Sequence, residues 1–339
     1  IGAGTAYRTL GVFIAANGSQ KRQKEVLLGK STTWSIKVST SNLTQDKKLT
    51  SYCQQLLPSL RYPLPCTTLT RKELRSVHYP ALRVAVNALG LNSTFPRCIL
   101  YGDACYQGLD MEDLYMIQGT EKIKHYLGHL RIRSETGKLL RIQKDQVELL
   151  LGQGRCPLRH PALNKDSWVE RTWIGSLGEF LDFADGYIDT DGDRLIELQR
   201  ENDKYLMERA KTMSKTAQEY VQQCRIFLKV QNLSDVCNAA GNRMEKEYLA
   251  GRQHRGSSIE WPKQGPPPPR AWKAWRRLLA TYCADGEGSL LQENRMGKWA
   301  KTHQLWPWKG KGAIVKDILG QTYKATGRGR RPTATPTES

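Results

Sequence analysis

No two aspartates are adjacent anywhere in the 339 residues of this chain, and no two cysteines stand in C-x-x-C spacing. An adjacent acidic pair is the simplest way to converge carboxylates on two cations, as two-metal phosphoryl transfer requires to stabilise the attacking and leaving oxygens. Eight cysteines scattered as Cys53, Cys66, Cys98, Cys105, Cys156, Cys224, Cys237 and Cys283 argue against a disulfide framework and for a reducing compartment. No run approaches the roughly 20 apolar residues of a membrane-spanning helix. The uncharged stretch Thr9 to Gln20 is short and ends at a turn, and no n-region or cleavage site marks a signal peptide. No Ser, Cys or His stands in a recognisable nucleophile motif.

Acidic residues are scarce at both ends. Lys and Arg stand against Asp and Glu as 9 against 2 in residues 1–66, 12 against 9 in 67–150, 14 against 16 in 151–251, and 17 against 6 in 252–339. The net charge of +19 therefore sits at the two ends of a near-neutral body, a pattern that favours surfaces meeting a polyanion, nucleic acid first. An apolar content of 39% and a length sufficient for two or three domains fit a folded protein.

Thr9 to Ile14 reads as an apolar strand, with little chain before it to pair with, and Asn17-Gly18 as a tight turn. Helices follow over about 19–38, 44–57, 71–89 and 111–129, and a further segment runs to about 151. Thr70 and Glu73 form a capping box that opens the third of these. The glycines and prolines from Gly154 to Pro161 mark a boundary. Beyond it, three stripes are most simply the core of a helical bundle. The first opens at Ser167 and Glu170 and carries Trp173, Ile174, Leu177, Phe180 and Leu181; the second spans Leu195 to Thr212. The third opens at Thr216 and Glu219 and carries Tyr220, Val221, Cys224, Phe227 and Leu228. Gly265 to Pro269 reads as a polyproline spacer. After it come a basic helix with Trp272, Lys273, Trp275, Arg276 and Arg277, then Trp306, Trp308, Lys309 and Lys311. Tryptophans among cations can stack on bases while phosphates are neutralised, although they can equally pack a small cap. Residues 326–339, nearly without apolar side chains, read as disordered.

Three motifs have plainer explanations. Asp189-Thr-Asp-Gly-Asp193 spaces carboxylates as calcium loops do, but Arg194 and Arg200 stand where an EF-hand needs Gly and Glu, so it reads as a solvated loop before a helix. Gly2-Ala-Gly4 has no preceding strand, and Tyr7 replaces the third glycine of a dinucleotide fingerprint. His125 and His129 have helical metal-binding spacing but no intervening glutamate, and read as surface or packing residues.

The order of L-G-V-F-I at 10–14, N-G at 17–18, a helix with a central Trp34, S-L-R-Y-P-L-P at 59–65, T-L-T-R-K-E-L at 68–74, Phe95-Pro96-Arg97, Leu100-Tyr101-Gly102 and Gly108-Leu109 resembles the downstream part of non-LTR retrotransposon reverse transcriptases of microbial eukaryotes. The resemblance runs from about Thr9 to Tyr282. It implies a mainly α chain: the end of the palm with a short β element in 1–16, a helical thumb in 17–153, a helical bundle extension in 154–264, a proline spacer and basic Trp-rich segment in 265–325, and a tail in 326–339. It places Leu10, Gly11 and Val12 at the primer grip, with Lys21, Arg22, Lys24, Lys30 and Lys37, then Arg71 and Lys72, along the phosphate backbone. The implied partners are RNA and DNA, with no membrane, and the palm and fingers of the same polyprotein. Magnesium and deoxynucleotides would serve the parent polymerase. The family's aromatic-x-Asp-Asp signature is absent, so this chain alone is not expected to polymerise and needs no cofactor of its own. A non-enzymatic ribonucleoprotein scaffold that binds through its basic tail is the alternative, and a calcium-responsive helical protein built around Asp189 to Asp193 a third.

Overall fold

The computed structural model describes residues 2, 4–165, 171–189, 198, 200–251 and 261–298, with the backbone of 312–316 and 322–326. It is mainly helical. The chain divides into two compact units, Ile1–Leu151 with Arg155–Leu195, and Gly152–Gly154 with Ile196–Ser339.

The first unit opens with a hairpin, β1 (Ala6–Thr9) antiparallel to β2 (Val12–Ala15), in which Thr9 pairs with Val12 and Ala6 with Ala15. The strand expected to run unbroken through Leu10 and Gly11 is instead folded there. Both residues take positive φ, 48° and 84°, the pattern of a type I′ loop, and β1 supplies the partner that the sequence reading missed. Gln23 Oε1 accepts from Phe13 N at 2.8 Å and ties the hairpin to α1 (Lys21–Ser39). Next come α2 (Gln45–Ser51), a π turn at Tyr52–Leu56, α3 (Leu57–Arg61), and α4 (Arg71–Ala88). The Thr70/Glu73 capping box forms as expected. Then follow α5 (Arg97–Leu100), α6 (Leu114–Arg131), α7 (Glu135–Leu151) and α8 (Trp173–Phe183).

One core gathers Leu27, Tyr52, Leu60, Leu64, Leu69, Leu74, Val77, Ala81, Leu114 and Phe180. Four of these, Leu60, Leu64, Leu69 and Leu74, lie in the motifs at 59–65 and 68–74, so those two motifs are seams of this core. A second core joins Tyr126, Val147 and Leu151 to Ile174, Leu177 and Leu181 of α8. The stripe of α8 thus packs in the first unit, beyond the boundary expected at 154. Gly102 and Gly108 approach so closely that a Cβ on Gly108 would overlap the Gly102 carbonyl. The loop they pinch is held by Leu109 N to Ile99 O at 2.9 Å.

The second unit contains α9 (Leu206–Ala210), α10 (Lys215–Leu228), α11 (Lys246–Leu249) and α12 (Pro269–Ala280). Among the described residues of the helix expected over 195–212, only α9 is helical, because Asp203 spends its carboxylate on Ser234, whose backbone N and Oγ lie at 3.0 and 2.6 Å, and so pins a turn. α10 is capped by Ser214, not Thr216, and ends at Lys229 in the left-handed region. Its Val221, Cys224 and Leu228 are buried, and burial pushes the Cys224 thiol up to about 12. The prolines do not separate two bodies: Pro267 is buried, Pro269 opens α12, and α12 packs along α10 within the same unit. β3 (Gly312–Lys316) and β4 (Thr322–Thr326) pair antiparallel, Gly312 with Thr326. The capping box at Ser167 and Glu170, and the tail beyond Thr326, lie outside the described residues.

Candidate nucleic-acid interface

The tip of the hairpin is Leu10, 85% exposed, whose carbonyl accepts from Tyr62 Oη at 2.8 Å. Gly11 beside it has the open, positive-φ backbone of the turn. Val12 is buried, so of the three residues assigned to a primer grip it is a core residue and not a contact.

Most of the basic residues that follow are already engaged. Arg22 pairs with Glu25 at 3.3 Å and lies 5.4 Å from the centre of the Phe13 ring. Lys24 pairs with Glu73 at 3.2 Å, and Lys30 donates to the Ser59 carbonyl at 3.3 Å. Burial alone would raise the Glu73 carboxyl, but hydrogen bonds from Thr70 and Lys24 hold it below the usual carboxylate range. Arg71 lies over the Phe183 ring, 4.1 Å from its centre. Lys21, Lys37 and Lys72 are exposed and have no side-chain partner among the described residues.

α12 differs. Ala271, Trp275, Leu278 and Leu279 are buried, while Arg270, Lys273, Arg276 and Arg277 are exposed on the opposite face with no ion pair among the described residues. At 100° per residue those four cations fall within an arc of about 120°. No carboxylate lies between Pro269 and Ala284 to neutralise them. Trp275, expected to stack on bases, is fully buried, and its Nε1 donates to the Tyr248 carbonyl at 3.0 Å. It is withdrawn from the contact surface because an indole that shares its face with the buried Ala271, Leu278 and Leu279 belongs to the core. Trp272 is half-buried and meets Phe227 edge-on at 5.9 Å. The helix therefore offers charge without stacking. Arg270 was visible in the sequence through its spacing of three from Lys273 but was not singled out as a site residue.

Trp306, Trp308, Lys309 and Lys311 lie outside the described residues, as do 190–193 of the acidic loop. Asp189 is exposed, its carboxylate 3.6 Å from Arg159. His125 and His129 stack at 6.0 Å, and no three His, Cys, Asp or Glu side chains converge on a metal position among the described residues. No described helix is long and apolar enough to cross a membrane.

Sequence reasoning missed Lys122 altogether. It is fully buried, donates to Ser176 Oγ, and lies 5.3 Å from the centre of the Trp173 ring. Burial, reinforced by Arg171, brings its ammonium down to about 7. No spacing rule marks a lysine on a stripe occupied by Gly119 and Tyr126.

No protein-family model, no curated protein and no solved structure matches this chain.

Proposed function

We propose that this chain grips a nucleic-acid duplex through its phosphate backbone, as the thumb and helical extension of a retroelement reverse transcriptase. The observation that carries this reading is the single-sign face of α12, where Arg270, Lys273, Arg276 and Arg277 are uncompensated. Exposed guanidinium and ammonium groups on a rigid helix neutralise phosphates and carry no sequence information, which suits a protein that must hold every sequence. The ordered motifs and the exposed Leu10-Gly11 tip support the polymerase parentage. In this reading, magnesium and deoxynucleotides belong to carboxylates elsewhere in the polyprotein, and no step is routed through a metal held by these residues. A scaffold without catalysis would use the same face. Primer extension by the chain rejoined to its palm separates the two readings.

The test is fluorescence anisotropy with a labelled primer–template duplex over a range of salt. With about six phosphates neutralised, log affinity falls against log salt with a slope near −5. A slope near zero removes the electrostatic basis of the proposal.

A further inference from the structure

A cavity of about 230 Å³ opens in the first unit between α4, α5 and the start of α6. Its apolar lining is Leu74, Leu82 and Leu114, and its polar wall carries Arg75, Arg97, Tyr101, His78 and Asp113. Exposed Arg75 and Tyr79 in the same wall leave it open to solvent. The donors are uncommitted. Arg97 Nη2 donates to the Ser93 carbonyl at 3.1 Å, but Nη1 is buried and has no hydrogen-bond partner among the described residues. The Arg75 guanidinium and the Tyr101 hydroxyl have none there either. A buried charged donor without an acceptor is costly, which points to an acceptor supplied from outside the fold. Burial pushes the Tyr101 phenol up to about 12, Asp113 adds to the rise, and Arg97 and Arg75 oppose it, so all three charges act on that one hydroxyl. His78 brings no charge, because burial takes it down to about 4, and its Nε2 lies 2.6 Å from Tyr52 Oη. Asp113 caps α6, its Oδ1 accepting from Tyr115 N at 2.7 Å, and pairs with neither arginine.

We propose that this cavity binds a sugar phosphate, with Arg75, Arg97 and the Tyr101 hydroxyl donating to the phosphate oxygens and Asp113 accepting from a sugar hydroxyl. This site goes beyond the duplex grip assigned to α12 and does not rest on it. Two guanidiniums and a phenol offer more than the two oxygens of a carboxylate can use, and they suit the three free oxygens and near-double charge of a phosphomonoester. A carboxylate in an otherwise cationic wall repels phosphate, so it calls for a donor on the same ligand, which a sugar hydroxyl supplies. The volume lies below the roughly 300 Å³ at which drug-sized pockets begin, which suits one pentose phosphate better than a whole nucleotide. That group occurs free and at the 5′-phosphorylated end of a nucleic-acid strand.

The test is calorimetry of the full chain with ribose 5-phosphate, beside anisotropy with a labelled single-stranded oligonucleotide that carries or lacks a 5′-phosphate. We expect saturable binding of ribose 5-phosphate that Arg75→Gln and Tyr101→Phe each weaken about tenfold, as the loss of one charge-assisted hydrogen bond does. Neither variant removes a hydrogen bond made within the described fold, so both should fold. Arg83→Gln alters an exposed arginine of α4 that does not line the cavity, and should change nothing. If the source is a strand end, the 5′-phosphate tightens oligonucleotide binding, and Arg75→Gln abolishes that increment. If the source is a free sugar phosphate, the 5′-phosphate adds nothing while ribose 5-phosphate still binds. Duplex affinity should be unchanged in Tyr101→Phe, which keeps a failure of the α12 reading distinct from a failure here. No binding of ribose 5-phosphate, binding that neither cavity variant weakens, or an equal loss in Arg83→Gln would overturn the proposal. So would acetate that displaces ribose 5-phosphate at equal concentration, since the cavity would then be a carboxylate site.

Discussion

α1 and α12 are both basic helices bearing tryptophan, yet they use their charges differently. On α1, three of five cations are engaged within the first unit: Arg22 by Glu25, Lys24 by Glu73 and Lys30 by the Ser59 carbonyl. On α12 no carboxylate is within reach along the helix, and all four cations of the exposed face remain uncommitted among the described residues. Trp34 of α1 is half-buried and donates to Ser51 Oγ at 3.0 Å, whereas Trp275 of α12 is fully buried. A count of lysines and arginines therefore overstates the field of the first helix. What a polyanion meets is the charge left over after internal pairing.

The comparison can be broken from beneath. Trp275→Ala removes the anchor that turns the basic face of α12 outward and should cost the second unit about 3–5 kcal/mol, read by denaturant unfolding. A loss below about 1 kcal/mol would mean that α12 is not seated as described. A second test concerns Lys122, a cation that neither helix resembles because it is buried. Its folded value of about 7 lies below the unfolded 10.5, so the unfolded chain binds more protons between those values, and stability rises with pH across that window. Below pH 7 the penalty is fully present, at about 1.4 kcal/mol for each unit of difference. Lys122→Met should therefore unfold later than the native chain at pH 6, by a few kcal/mol, with the gap narrowing by pH 8.5. A gap constant with pH would contradict this. The smallest effect belongs to α1: Lys24→Ala breaks a partly exposed pair and should change stability by no more than about 1 kcal/mol. It should leave duplex affinity nearly unchanged.

Much of the first unit was legible in the sequence because its signals are local. The Thr70/Glu73 box, the Asn17-Gly18 turn and the spans of α1, α4 and α6 follow from neighbouring residues alone. The hairpin was missed because Leu10 is a poor left-handed residue and Gly11 alone did not announce the turn. The place of α8 was not legible for a different reason. α8 carries the same kind of apolar stripe as α10, and periodicity does not say which body a stripe closes against. At the site, the basic character of α12 was legible from composition. The loss of Trp275 to the core was not, since an aromatic residue at helical spacing reads alike as a stacking platform or as a wedge. Pairing across 49 residues, as between Lys24 and Glu73, leaves no local trace.

The most direct measurement sets the double reversal Arg276→Glu with Arg277→Glu against the double reversal Lys24→Glu with Lys30→Glu, comparing duplex affinity and its salt slope. The α12 pair should reduce the magnitude of the slope by about 2 and weaken binding at least tenfold at moderate salt. The α1 pair should change both far less. Equal losses in the two variants, or an unchanged slope in the α12 pair, would contradict the assignment of the polyanion contact to α12.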